Sequence, residues 1–213
     1  MTQSLGGLYS ALRLPWAYSA LQRVIARKDA RRVFVDRYVQ PRAGDRVIDI
    51  GCGPGAMLDY LGEVDYVGLD LDPNYIRSAS RRYGNRGRFI HGDAANIVDH
   101  IDAQADIVLA VALLHHLDDA QARSLFSAAA KFLVPGGRLV TLDCVWTVPQ
   151  NPIARFLIAA DRGKNTRTSA AYSALAHESF STVEVHLRDD LLRLPYDHCI
   201  MVCRKLESAA AVR

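Results

Sequence analysis

Between Val47 and Gly55 the chain reads Val47-Ile48-Asp49-Ile50-Gly51-Cys52-Gly53-Pro54-Gly55, an acid set in an apolar run and followed by glycines at alternate positions. Glycine lacks a Cβ, so this spacing lets a backbone turn sharply and approach a ligand closely. Gly51-x-Gly53-x-x-Ala56 satisfies the dinucleotide fingerprint, and Asp70 lies roughly 20 residues on, where a ribose-binding carboxylate belongs. A nicotinamide oxidoreductase is therefore one reading. Further along stand Asp93-Ala94, then the pair His115-His116, whose imidazoles titrate near neutral pH and can serve as a general base. The patch Asp161-Arg162-Gly163-Lys164-Asn165-Thr166-Arg167 offers Arg162, Lys164 and Arg167 as clamps for a carboxylate or phosphate, or simply forms a solvated turn. Cys52, Cys144, Cys199 and Cys203 show neither a CxxC pair nor Cys/His ligand spacing, so no metal site and no disulfide framework is expected.

These residues need elements to position them. Short β-rich runs at Arg46–Ile50, Asp65–Asp70, Arg88–His91, Asp106–Ala112 and Gly137–Cys144 alternate with helices that begin near Ala56, Pro73, Ala94 and Asp118. Strands alternating with helices of this size predict βαβ crossovers and a parallel sheet covered on both faces, an α/β fold. Ahead of them Trp16–Tyr38 carries apolar residues at helical spacing between arginines and reads as one amphipathic helix, stopped at Gln40-Pro41. After Val145 come a helical stretch Ile153–Ala160, the polar patch, a helix Ser169–Ala176 and two last strands, Ser181–Leu187 and His198–Cys203. The expected division is a single domain over residues 1–207: an arm or lid (1–42), a core (43–145), an insertion with the last helix (146–180) and the final strands (181–205), with a frayed tail at 208–213. Asp72-Pro73 suits the cap and first turn of a helix, which leaves Asp70, at a strand end, as the ribose candidate.

Asp49 before the glycines, the third glycine Gly55, then His91-Gly92-Asp93-Ala94 and Leu133-Val134-Pro135-Gly136-Gly137-Arg138-Leu139 follow in order. On these stations residues 43 to 145 resemble the class I, seven-stranded S-adenosylmethionine-dependent methyltransferases, especially the small-molecule branch with the ubiquinone and menaquinone biosynthesis enzymes. The resemblance implies a Rossmann-like doubly wound sheet of order 3-2-1-4-5-7-6 with the seventh strand antiparallel. It implies S-adenosyl-L-methionine across the strand carboxyl ends, with S-adenosyl-L-homocysteine as product. Asp70, with Leu71 beside it, then holds the ribose. Asp93 accepts from the adenine amino group while the Ala94 amide donates to the ring, although Asp93 equally suits a helix cap. Asp49 and the turn Gly51, Cys52, Gly53 and Gly55 hold the methionine end, with the carbonyls of Gly51 and Val111 facing its ammonium. Such a cofactor carries an ammonium and a sulfonium and no phosphate, so the acidic series Asp49, Asp70, Asp93 suits it.

Methyl transfer from sulfonium is an in-line displacement with a good leaving group, so positioning supplies much of the acceleration. Where a base is needed, His115 and His116 are the first candidates, ahead of Tyr9, Tyr18 and His198; Tyr9 and Tyr18 can also line the acceptor pocket. A net charge of +3 is too small to imply a nucleic-acid partner, and no window reaches the roughly 20 apolar residues of a membrane span. No export signal is visible, so a cytoplasmic protein is expected. The residues thus point to an enzyme that methylates an O, N or C atom of a small molecule. An RNA or protein methyltransferase, an NAD(P)-dependent oxidoreductase and a non-catalytic cofactor-binding protein are the alternatives.

Overall fold

The computed structural model describes residues 27, 29–94, 104–161 and 163–206. Its strands are β1 (Arg46–Ile50), β2 (Asp65–Asp70), β3 (Arg88–His91), β4 (Ala105–Val111), β5 (Leu133–Trp146), the two-residue β6 (Arg167–Thr168), β7 (Thr182–Arg188) and β8 (His198–Arg204). They form a sheet ordered β3-β2-β1-β4-β5-β8-β7, with β6 beside β5 off this path. Leaving the short β6 uncounted, this is the expected 3-2-1-4-5-7-6, and β8 runs antiparallel to both β5 and β7.

The α-helices are α1 (Ala30–Phe34), α2 (Pro73–Tyr83), α3 (Asp119–Phe132), α4 (Pro152–Ala159) and α5 (Ser169–His177). Successive strand residues point to opposite faces, so each central strand feeds two cores. Ile48, Ile50, Val108, Ala110 and Leu139 pack under α3 and α5 through Leu125, Phe126, Tyr172 and Leu175. Val47, Ile107, Leu109 and Val140 meet Phe34, Val35, Tyr38 and Val39 on the other face, together with Ile76 and Ala79 of α2. Burial on both faces is why these strands read as nearly unbroken apolar runs. Asp72 caps α2 by accepting from the Asn74 amide, with Pro73 at the first helical position. Asp118 caps α3 in a reciprocal box with Gln121.

Three local expectations change. No α-helix follows the glycine turn: Ala56–Asp59 is a single 3-10 turn, entered from a left-handed Gly55 (φ 75°) and left through Tyr60 toward Gly62. The expected helix Trp16–Tyr38 is interrupted at Arg27, whose amide donates to the Leu191 carbonyl at 3.2 Å, and a helix starts at Ala30 after it. Residues 1–26 and 28, the segment after Ala94 and the tail from 207 lie outside the described residues. Strand β5 is longer than expected, since its pairing with β4 already begins at Leu133 and its ladder with β8 runs from Arg138 to Cys144.

The described arm ends in a π-helical turn, Val35–Val39, closed by Gln40 in the left-handed region (φ 49°). A helix end leaves carbonyls without partners. Arg138 of β5 supplies them, its Nε donating to the Val39 carbonyl at 2.9 Å and its Nη2 to that of Gln40 at 2.7 Å. Hydrogen bonds from a charged donor contribute more than neutral ones, so Arg138→Ala is expected to cost about 1.5–3 kcal/mol, measured by urea denaturation.

Candidate active site

The chain leaves β1 toward β2 on one side of the sheet and later returns through β4 on the other. This reversal opens a crevice at the carboxyl ends of β1 and β4, where ligands bind in open parallel sheets. The glycine turn sits there. Gly51, Gly53 and Gly55 all have positive φ (73°, 54° and 75°), a region closed to most side chains. The amides of Gly51 and Cys52 donate to the Leu69 carbonyl at 2.8 and 3.0 Å, and that of Gly55 to the Cys52 carbonyl at 3.0 Å. Asp70 completes the lacing: one carboxylate oxygen accepts from the Gly53 amide at 2.8 Å and the other from the Asp72 amide at 2.8 Å. A Cβ on Gly53 would meet nothing within 4 Å, so the turn presents open space on this side.

Asp49 lies beneath the turn, 1% exposed, accepting a hydrogen bond from the Tyr66 hydroxyl at 2.7 Å. Burial pushes its carboxyl up to about 7, the Tyr66 bond opposes the shift, and the nearby charge of Asp70 adds to it. Cys52 is buried with its Sγ against Gly68, where a Cβ would come within 2.8 Å of that sulfur, and burial pushes its thiol up. Only the backbone of Cys52 is therefore at the turn's surface. Around the rim stand Leu71, an apolar side chain 66% exposed, and exposed Asp93 with half-buried Ala94. Val111 ends β4 and is followed by Ala112 at φ 54°, a backbone conformation uncommon outside glycine.

The loop after β4 packs against the turn, since a Cβ on Gly51 would lie 3.1 Å from Leu113 Cδ1. Its two histidines part company. His116 is exposed, whereas His115 is 5% exposed and lies between two acids. Its Nδ1 bonds Asp143 Oδ1 at 2.7 Å and its Nε2 faces Asp161 Oδ1 at 3.4 Å. Burial alone would lower its pKa, but the bonds and charges of Asp143 and Asp161 outweigh that and push it up to about 9. Gly163 lies against the ring, where a Cβ would overlap His115 Cδ2, and its amide donates to Asp161 Oδ1 at 2.9 Å.

Arg167, expected as a substrate clamp, is spent inside the protein. Its guanidinium donates to the carbonyls of Leu114 (3.1 Å), Asn165 (2.9 Å) and Leu117 (2.8 Å) and pairs with Asp119 at 2.7 Å. It braces the 114–119 loop. Lys164 is exposed, while Tyr9, Tyr18 and Arg162 lie outside the described residues. His198 is buried and burial pushes its pKa down to about 4, so it sits as a neutral core histidine. Asp143, Asp161 and Tyr66 were not singled out from the sequence; the one available signal was an acid inside the apolar run Val140–Val145.

Residues 47–137 match the family model described as Methyltransferase domain. The chain is 34% identical over 110 residues to 27-O-demethylrifamycin SV methyltransferase of Amycolatopsis mediterranei, an alignment covering 48% of this chain and 39% of that protein. It is 38% identical over 123 residues to ribosomal protein L11 methyltransferase of Geobacillus thermodenitrificans, covering 55% and 37%. The chain thus spans well under half the length of these curated relatives. Among solved structures, phosphoethanolamine N-methyltransferase 2 of Haemonchus contortus with phosphomonomethylethanolamine and S-adenosylhomocysteine superposes with a TM-score of 0.73 at 14% identity, over 94% of this chain and 59% of that one. At that identity the likeness is one of fold. These relatives single out no quinone branch.

A histidine whose pKa is raised on folding stabilises the fold fully below its unfolded value and loses that contribution as pH rises through its folded value. Wild type is therefore expected to exceed His115→Gln in stability by up to roughly 3 kcal/mol near pH 6, with the gap closing toward pH 9 and above. Denaturation series at both ends of this window check it.

Proposed function

We propose, from the premise that this chain belongs to the class I S-adenosylmethionine-dependent methyltransferases, that it methylates an O, N or C atom of a small-molecule acceptor in the crevice beside the glycine turn. The observation that carries this reading is the use of the turn's amides. A dinucleotide needs free amides at a helix N-terminus to cradle its pyrophosphate. Here the amides of Gly51, Cys52, Gly53 and Gly55 already have partners, and the following helix is a single 3-10 turn. Acids surround the turn instead. Asp49 and Asp70 with Asp93 make a poor seat for phosphates and a good one for a ligand whose charged groups are cationic.

S-adenosylmethionine, when bound, supplies an electrophilic methyl group on sulfonium. The chain's residues do the rest by position. Asp70, held by two amides, keeps lone pairs for a ribose diol. Leu71 and Asp93 with the Ala94 amide would take the adenine, one by apolar contact and the others by hydrogen bonds. Asp49, under the turn, and the carbonyls of Gly51 and Val111 would face the ammonium. Asp161, Gly163 and Asn165, packed against His115, would help to cover the acceptor, with exposed Lys164 and His116 among the polar groups near it. His115, protonated at neutral pH by its two acids, acts there as a positioning residue rather than a base. Among the described residues no helix is long and apolar enough to cross a membrane.

Calorimetry is expected to register S-adenosylhomocysteine and no NAD or NADP; the opposite result sinks the proposal. Asp70→Ala should weaken that binding by about 10- to 100-fold, the loss of hydrogen bonds to a charged group. Cofactor affinity should also rise between about pH 6 and pH 8, because a ligand ammonium favours the ionised form of Asp49, whose carboxyl titrates at about 7. In Asp49→Asn this slope should flatten.

A further inference from the structure

His115, His116 and Asp161 each offer one ligand atom, and the three atoms lie within 4.8 Å of one another. The geometry points to a divalent transition-metal site here, of the zinc type, with one position open to an exogenous oxygen. Zinc takes nitrogen and oxygen ligands at about 2.0–2.1 Å in a tetrahedron, which sets neighbouring ligand atoms roughly 3.3 Å apart. His115 Nε2 and Asp161 Oδ1 already stand at 3.4 Å. His116 is exposed, and its ring centroid lies 4.1 Å from that of His115, so a small rotation brings its ligand atom to the same point.

The surroundings match what a metal-bound histidine requires. Such a histidine donates its other ring N–H to a carboxylate, which fixes the tautomer and the ring plane. His115 Nδ1 does so to Asp143 Oδ1 at 2.7 Å. Asp143 is buried, and its Oδ2 has no hydrogen-bond partner, so the core holds a carboxylate with acceptor capacity to spare beside this cluster. Asp161 is aimed by the Gly163 amide, and the backbone around His115 is fastened by the Asn165 amide at 3.0 Å and by Arg167. The first ligands are thus held before any ion arrives, as metal sites need. An arriving dication would displace to solvent the proton that His115 carries at neutral pH, and two carboxylates with two neutral imidazoles then balance it. Three protein ligands with an exposed side are the pattern of sites that leave a place for water or substrate. An acceptor hydroxyl in that place would give up its proton to solvent through the exposed side near neutral pH. That last use rests on the function proposed above; the binding of the ion does not.

The test is calorimetry of the whole chain, stripped with chelator and titrated with Zn2+ and Co2+ in the absence of cofactor, together with thermal melts. One equivalent is expected to bind, to raise the melting temperature and to give Co2+ the absorption of a tetrahedral centre. His116→Ala and Asp161→Asn should each weaken binding by at least tenfold. Asp143→Asn, with all three ligands intact, should weaken it by about 10- to 100-fold. Should the stripped protein take up no ion, or the double variant His116→Ala with Asp161→Asn bind it as the wild type does, the cluster is a protonated histidine between two acids and the proposal fails. Because no cofactor or acceptor is present, this outcome is independent of whether the chain transfers methyl groups.

Discussion

The end of β1 is tied to the end of β2, and most of the site follows from that knot. Three consecutive amides, Gly51, Cys52 and Gly53, all donate to the last two residues of β2, two to a backbone carbonyl and one to a side chain. Leaving such groups buried and unpaired would cost about 1–3 kcal/mol each. The turn's left-handed shape is therefore settled by the protein itself, before any ligand. The same knot explains a pair of small residues. Asp49 and Gly68 are partners in the β1–β2 register, and the space that Gly68 leaves is filled by Cys52. A larger residue at 68 would push the turn off the strand that holds it. It also fixes Asp70, since the carboxylate that stiffens the turn is the one proposed above for a ribose.

A second knot lies across the crevice, where His115 joins three pieces of chain that are distant in sequence. Asp143 belongs to β5, His115 to the loop after β4, and Asp161 to the segment after α4. Removing one member of such a cluster is costly because its partners stay buried, but against an apolar packing of the same space desolvation offsets most of the attraction. What they supply is position. With Gly163 against the imidazole and Arg167 gripping the carbonyls on either side, the loop beside the glycine turn is held by polar contacts of fixed direction. A crevice bounded by two such knots keeps its shape when empty, and preorganisation of this kind is what a positioning reaction needs.

Much of the architecture was open to view in the residues alone. The strands of a doubly covered sheet must be apolar on both faces, so Val47–Ile50, Tyr66–Leu69 and Ile107–Val111 stand out, and Asp72-Pro73 and Asp118 mark helix starts because caps obey local rules. The glycine turn and the place of Asp70 at a strand end were legible for the same reason: both depend on spacing along the chain. The helix after the turn was misread, because the pattern that suits an α-helix cannot reveal that a left-handed Gly55 and Gly62 leave room for one 3-10 turn.

Tertiary structure decided everything that rests on contacts between distant residues. Adjacent histidines look alike in a sequence, yet one is buried against an acid 28 positions away and the other faces solvent. An arginine in a polar patch looks like a substrate clamp, yet Arg167 reaches carbonyls 50 and 53 residues back and has nothing left to offer. An acid in a strand looks like an irregularity, yet Asp143 is what orients His115. Local spacing encodes dihedrals and periodicity; it does not encode which side chains the sheet order brings face to face, and hydrogen bonds are set by that proximity alone.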